Sequence, residues 1–428
     1  MRIFGFCFLS IFLLVLFACS DSSTSSPDVP EDRAPFGWLD GGFTPVTDFS
    51  RGGGLQKIAH SGDWLVLEDA WTGPVDSSDA LFGNSTYTPR LFISKIGSDS
   101  WDTIKPPTKE NIKTLYADSQ GIYVGMYASA EVFEYSPSKK SWKQFKLKDS
   151  LQAGEWYSVY GIGRFQNRLI VSIAGNQGGS SEASGKLTSF VKWENASGWD
   201  NVDASPRLHS STAKDDFSTE PFHFHKGFEW NGKFYAATID GVWRLDADGS
   251  TWTKLPDVPK LLPFTRNYIT NPVGDIVLHK NQLYVTSALD ETIFALNENE
   301  SSWLQVDSLF FDGDTASSML AYFIRHNTPG GQPLSLVSSG EHLFIAGNDP
   351  SIPMVYMGDY GEPYGNIPKG WRKVGSWCTG LSHCLFAGGT TYSMDVIGDT
   401  LYVANWKNLL KFPLDKLDSA IANEKDFW

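Results

Sequence analysis

Apolar and polar positions along this chain fall into one short phrase that recurs. A triplet of apolar, β-favouring residues opens it, an apolar strand-like stretch follows, and a Trp in a polar turn closes it. The phrase runs from Leu65-Val66-Leu67 to Trp101, from Ile122-Tyr123-Val124 to Trp142, and from Leu169-Ile170-Val171 to Trp199. It runs again from Phe234-Tyr235-Ala236 to Trp252, from Leu283-Tyr284-Val285 to Trp303, and from Leu343-Phe344-Ile345 to Trp371. Leu401-Tyr402-Val403 starts it once more near the C-terminus. Self-similarity at roughly 50-residue spacing marks a radial or stacked repeat.

One unit shows how the phrase is built. In FEWNGKFYAATIDGVWRLDADGSTWTKLPDVP, Asn231-Gly232 is a hairpin signal between Phe228–Trp230 and Lys233–Thr238, because both central positions of such a turn need positive φ. Val242–Asp246 predicts a third strand, Asp248-Gly249 another turn, and Trp252–Leu255 an outermost strand that ends before Pro256. Four antiparallel strands of this kind make one propeller blade. Gly62-Asp63, Gly121, Gln166-Asn167, Lys280-Asn281, Gly340-Glu341 and Gly398-Asp399 stand at the matching first turn of the other units. A four-stranded sheet with two apolar faces cannot hide both alone, so the units must stack around an axis, with the Trp rings packed between them. The expected fold is all-β, a seven-bladed β-propeller over residues 36–428. The last unit lacks a Trp-bearing strand, and Leu414, Leu417 and Ile421 follow at helical spacing. Its outer strand is expected from Phe36–Val46, beside Trp38, with Phe427-Trp428 as the alternative closure.

Composition changes this picture little. The 428 residues are 41% hydrophobic, 14% aromatic and 20% charged, a globular profile, and the formal charge of −14 makes nucleic acid an unexpected partner. The densest basic stretch, Lys139-Lys140 with Lys143, Lys146 and Lys148, reads as the solvated face of an edge strand.

The N-terminus stands apart from the repeat. Arg2 precedes an apolar run from Ile3 to Ala18, too short to span a bilayer and suited to a signal peptide over residues 1–18. Leu16-Phe17-Ala18-Cys19 resembles the lipobox of bacterial lipoproteins. The resemblance implies cleavage before Cys19, acylation there, and a bacterial envelope location anchored in the membrane by lipid. Ser20 after the cysteine leans towards the outer membrane, and residues 19–35, rich in Ser, Asp and Pro, read as a flexible tether. Cys378 and Cys384, six apart in an export context, are expected to form a local disulfide.

GVWRLDADGSTWTKLPDVP and EVFEYSPSKKSWKQF resemble the second half of a kelch repeat, although the double Gly of that family is absent after Val124, Val285 and Val403. DADGSTW is similar to the Asp box of sialidases, one residue short between Asp and Trp. Both resemblances imply a fold and leave the chemistry open. Ligands of propellers gather where the innermost strands are entered, and three such segments are unusually polar. They contribute Glu220, His223 and His225 before the fourth unit, Arg266 and Tyr268 before the fifth, and Arg325 and His326 before the sixth. Aromatic platforms beside Arg and His donors suit sugars or carboxylates. His223 and His225 could hold a metal, but no third ligand follows at a fixed spacing, so neither metal nor cofactor is expected. Glu155-Trp156-Tyr157 could join the funnel or simply pack, and Glu220 is the best single candidate for an acid. No Gly-rich phosphate cradle, HExxH or GxSxG occurs. The expectation is therefore a monomeric, non-catalytic envelope lipoprotein that presents a carbohydrate- or protein-binding face. A glycan hydrolase or lyase, and a scaffold subunit of an envelope complex, are the alternatives.

Overall fold

The computed structural model describes residues 44–48, 55–69, 90–98, 100–108, 110–147, 156–177, 186–203, 206–209, 219–260, 272–287, 293–307, 335–346, 354–357, 371–375, 391–405 and 408–417. All of them lie in the larger of two compact units, Leu39–Trp428. Cys19, Cys378 and Cys384, with the expectations attached to them, fall outside these residues.

The apolar triplets and hairpin signals become four-stranded antiparallel sheets arranged as a β-propeller. In blade 4 the strands are Lys226–Trp230, Lys233–Thr238, Gly241–Leu245 and Trp252–Lys254, within two residues of the positions read from the pattern. The left-handed turns appear where the sequence asked for them: φ is 48° and 62° at Gln166-Asn167, 50° and 71° at Asn231-Gly232, and 45° and 59° at Lys280-Asn281.

Six sheets are each cut from one continuous stretch, blades 1 to 6 in chain order, spanning 55–104, 112–146, 156–202, 226–254, 273–307 and 335–375. The expectation of seven blades therefore needs amending, because only six are self-contained. One further four-stranded sheet is composite: Thr391–Ile397, Thr400–Asn405 and Asn408–Pro413 are completed by Thr44–Asp48 from the other end of the chain. Closure from the N-terminal side is as expected, but the strand lies at the C-terminal edge of the segment foreseen for it. The innermost strands follow one another in chain order, and Thr391–Ile397 packs beside Leu55–Ser61 to complete the circle. Beyond the composite sheet, the helical spacing yields a short 3₁₀ turn at Leu414–Lys416, and Leu417 is buried against Phe344 and Leu410.

No described sheet has a core of its own. Seven apolar clusters form among the described residues, and each joins two adjacent four-stranded sheets, with Leu208 of a two-stranded insert added to the one between blades 3 and 4. The triplets explain this division, because neighbouring residues on a strand point to opposite faces. In every triplet the outer two residues face the preceding sheet and the middle one faces the next. Leu283 and Val285 lie in the cluster with Tyr235 of blade 4, whereas Tyr284 packs with Leu336 of blade 6. Leu401 and Val403 pack on Phe344, and Tyr402 on Leu65 and Leu67 of blade 1.

The recurring Trp opens or flanks the outermost strand and wedges the outer part of these clusters. Trp303 is buried and its Nε1 donates to the Pro256 carbonyl of the preceding blade at 2.6 Å. Trp199 meets Phe145 edge-on at 5.7 Å between centroids. Close approach nearer the axis requires glycine. A Cβ on Gly161 would stand 2.5 Å from the Phe224 carbonyl, and one on Gly163 would stand 2.8 Å from the Phe234 ring. Both glycines lie on the face of blade 3 that meets blade 4.

Two outcomes are expected from thermal or denaturant unfolding. Trp303→Ala should destabilise by about 3–5 kcal/mol, and Trp303→Phe by much less. Gly161→Val should cost about 1–3 kcal/mol by overpacking, and unchanged stability in this variant would refute the close contact of blades 3 and 4.

Candidate functional site

The N-terminal ends of the innermost strands, where the chain enters each blade, carry a recurring irregularity. The pairing of the first two strands slips between Leu55 and Lys57, Ile112 and Thr114, Val159 and Gly161, Val273 and Ile276, and Thr391 and Ser393. Each slip is a β-bulge that leaves an extra residue on the inner strand. In blade 2 the extra residue is Lys113, in blade 3 it is Tyr160, and in blade 5 the bulge contains Asp275.

These residues meet across the blades. Lys113 Nζ lies 4.8 Å from the centre of the Tyr160 ring and 5.9 Å from that of Tyr127. The Tyr160 ring lies 4.6 Å from the His223 imidazole, which belongs to the entry of blade 4. Lys57 of blade 1 donates to the Lys113 carbonyl at 2.5 Å and stands 3.5 Å from the buried carboxylate of Glu68. An ammonium, an aromatic ring and an imidazole, taken from three successive blades, thus form one array.

Polar links also join the entry ends of neighbouring blades. Ser393 Oγ accepts from Ile58 N, Ser158 Oγ from Ala128 N, and Ser172 Oγ from Phe224 N, at 3.3, 3.2 and 2.9 Å. Lys226 of blade 4 pairs with Asp275 of blade 5, whose other oxygen accepts from Leu336 N of blade 6 at 2.8 Å.

The two histidines differ in surroundings. His223 Nδ1 lies 3.0 Å from the Pro221 carbonyl, and burial, together with the nearby Lys113 charge, lowers its pKa. A carbonyl can only accept, so Nδ1 carries the proton and the neutral ring keeps a lone pair on Nε2. His225 is pushed down to about 4, chiefly by burial, against the opposing pull of the Asp275 carboxylate. Its Nε2 is buried without a hydrogen-bond partner among the described residues. No group of three metal-ligating side chains forms among the described residues.

The structure places the remaining predicted residues unevenly. Glu220 lies in a two-stranded insert, opposite Leu208. Arg266, Tyr268, Arg325 and His326 fall outside the described residues. Tyr157 packs, buried, with its hydroxyl 3.1 Å from Thr188 Oγ1, which settles it as core. Asp248 of the DADGSTW turn accepts from Ser250 N, Thr251 N and Thr251 Oγ1 at 2.9, 3.0 and 2.6 Å, so it braces its own turn. Lys57, Lys113, Tyr160 and Asp275 escaped the sequence reading. Their only signal is a polar or extra residue that breaks the period of two at the start of an inner strand.

No family model matches the chain, and no curated protein matches it. Solved structures do. The chain is similar to U3-55K, with TM-score 0.51 and 10% identity over 88% of this chain and 100% of that one. It is also similar to the WD40 repeats of RRP9, with TM-score 0.49 and 10% identity over 88% and 99% of the two chains. The extracellular domain of a hybrid two-component system from B. thetaiotaomicron gives TM-score 0.49 and 8% identity, and this chain spans 39% of that chain's length. The likeness is one of fold. β-Propellers of different sequence share the ring, and what any of them binds is decided by the residues lining it.

The buried histidines make stability depend on pH. Folding holds His225 neutral to about pH 4, whereas the unfolded ring protonates near 6.5. The contribution is therefore complete above pH 6.5 and is lost as pH falls towards 4. Wild type should lose about 2 kcal/mol more stability than His225→Asn between pH 7 and pH 4.5. Urea unfolding at the two values measures the difference, and parallel losses would refute it.

Proposed function

We propose that this protein is a non-catalytic binding propeller of the bacterial envelope whose entry face takes a glycan. The array of Lys113, Tyr160 and His223 carries the reading. It offers a half-buried aromatic ring flanked by a donor and an acceptor, and sugars are held by an apolar ring face with polar groups at its edge. The three groups come from three successive blades, so the site exists only where those blades pack together. The lysine, tyrosine and imidazole hold a ligand without supplying the pair of carboxylates that glycoside hydrolysis uses.

In the same reading, cleavage of residues 1–18 frees Cys19 for lipidation, and residues 19–35 tether the ring to the outer membrane. The blades are kelch-like, and Cys378 pairs with Cys384. None of these features is needed for the entry face to bind.

Soluble protein beginning at Ser20 should bind glycans on an array and release no sugar from them in a parallel hydrolysis assay. Tyr160→Ala should weaken that binding about tenfold or more, with an unchanged melting temperature. Turnover would favour the hydrolase or lyase, and silence on the array would overturn the glycan reading in favour of a protein ligand.

A further inference from the structure

His225 stands where three blades are tied together, and it takes no part in the array of Lys113, Tyr160 and His223. It ends the entry segment of blade 4, where its backbone N–H donates to the Ala237 carbonyl at 3.1 Å. Its ring reaches blade 5 and donates to the Gly274 carbonyl. Nε2 is buried and has no hydrogen-bond partner among the described residues, so the donating nitrogen is Nδ1 and the ring is neutral. The charged and titratable groups that act on it are Asp275, Lys226 and His223. Asp275, the anion of the three, is committed on both oxygens. Oδ1 accepts from Lys226 Nζ of blade 4 and from Ile276 N at 2.7 Å, and Oδ2 accepts from Leu336 N of blade 6 at 2.8 Å.

A proton taken up at Nε2 finds no acceptor among the described residues, and a buried charge without a partner is costly. Two movements relieve it. Asp275 turns to the imidazolium and releases Lys226 or Leu336 N, or the ring swings out to water and releases Gly274. Each breaks a link between neighbouring blades. We propose that His225 is an acid-operated latch on the inner rim, closed while its ring is neutral and loosening the rim around blade 5 when it takes up a proton. His223 lies two residues away on the same segment. The entry face is therefore whole at neutral pH and comes apart in acid, whatever it binds.

Hydrogen exchange of the full-length chain at pH 7 and pH 5, with each rate divided by that of the unstructured amide, tests the latch. The ring titrates near 6.5 when exposed and at about 4 when closed in, so closure is favoured above 6.5 and weakens as pH falls towards 4. The opening constant read at His225 N and Leu336 N should rise about 20-fold between the two conditions. Ile58 N, which donates to Ser393 Oγ at the seam of blade 1 and the composite sheet, should show no such rise. His225→Asn cannot take up the proton and should abolish the rise at Leu336 N. Equal rises at all three amides of wild type, no rise at His225 and Leu336, or a rise at Leu336 that persists in His225→Asn overturns the latch. If that variant fails to fold, the comparison of the two seams in wild type decides alone.

Discussion

A four-stranded sheet has two apolar faces and only its neighbours to cover them, and every other feature of this molecule follows from that constraint. The seven clusters among the described residues each straddle two sheets, so removing one sheet strips two clusters at once. Such a ring is stable through nearest-neighbour interfaces rather than through a single central core. The chain meets the constraint at its ends by lending Thr44–Asp48 to the last sheet, where it pairs with Asn408–Lys411. An open ring would leave that edge unpaired and free to recruit another chain.

The parts of the fold that were legible in the sequence are those governed by this burial. Ile122-Tyr123-Val124 is apolar at all three positions because the strand is covered on both faces: Ile122 and Val124 meet Val66 and Leu91 of blade 1, and Tyr123 meets Tyr157 of blade 3. Asn231-Gly232 was readable because its φ values exclude most other residues. The recurring Trp was readable as packing, since Trp303 fills the wedge between blades 4 and 5. The strand at Thr44–Asp48 was harder to place. It contains Pro45, packs Val46 on the cluster with Tyr402, and slips in register between Pro45 and Thr47. A short outermost strand leaves little periodic signal.

The candidate site was less legible for a related reason. Lys113 and Tyr160 occupy bulges, and a bulge is one residue out of step with the alternation that identifies a strand. Read as regular strand, IKTLYA places Lys113 on one face of a sheet, and nothing in its own blade shows that it points at Tyr160. The contact depends on two bulges in two blades and on the spacing of the ring between them. His223 was found because its segment, FHFH, is conspicuous before any strand begins. Its partner Tyr160 lies 63 positions earlier by residue number, beyond the reach of local pattern.

The bulges and the polar links share one cause. Near the axis the sheets come closest together, and side chains large enough to fill the outer wedge no longer fit, which is why Gly161 and Gly163 stand where Phe224 and Phe234 approach. Backbone groups brought that close need partners, and Ser158, Ser172 and Asp275 supply them from the neighbouring blade. Polar side chains are therefore required at the inner rim for the ring to close at all. The bulges add residues at this rim, among them Asp275, Lys113 and Tyr160, without altering the alternation that builds the interfaces farther out. Thr44–Asp48 joins the composite sheet at its outermost position, away from this inner rim. Binding chemistry concentrates at the entry ends because that is the place where this fold tolerates buried polar groups and side-chain variation together.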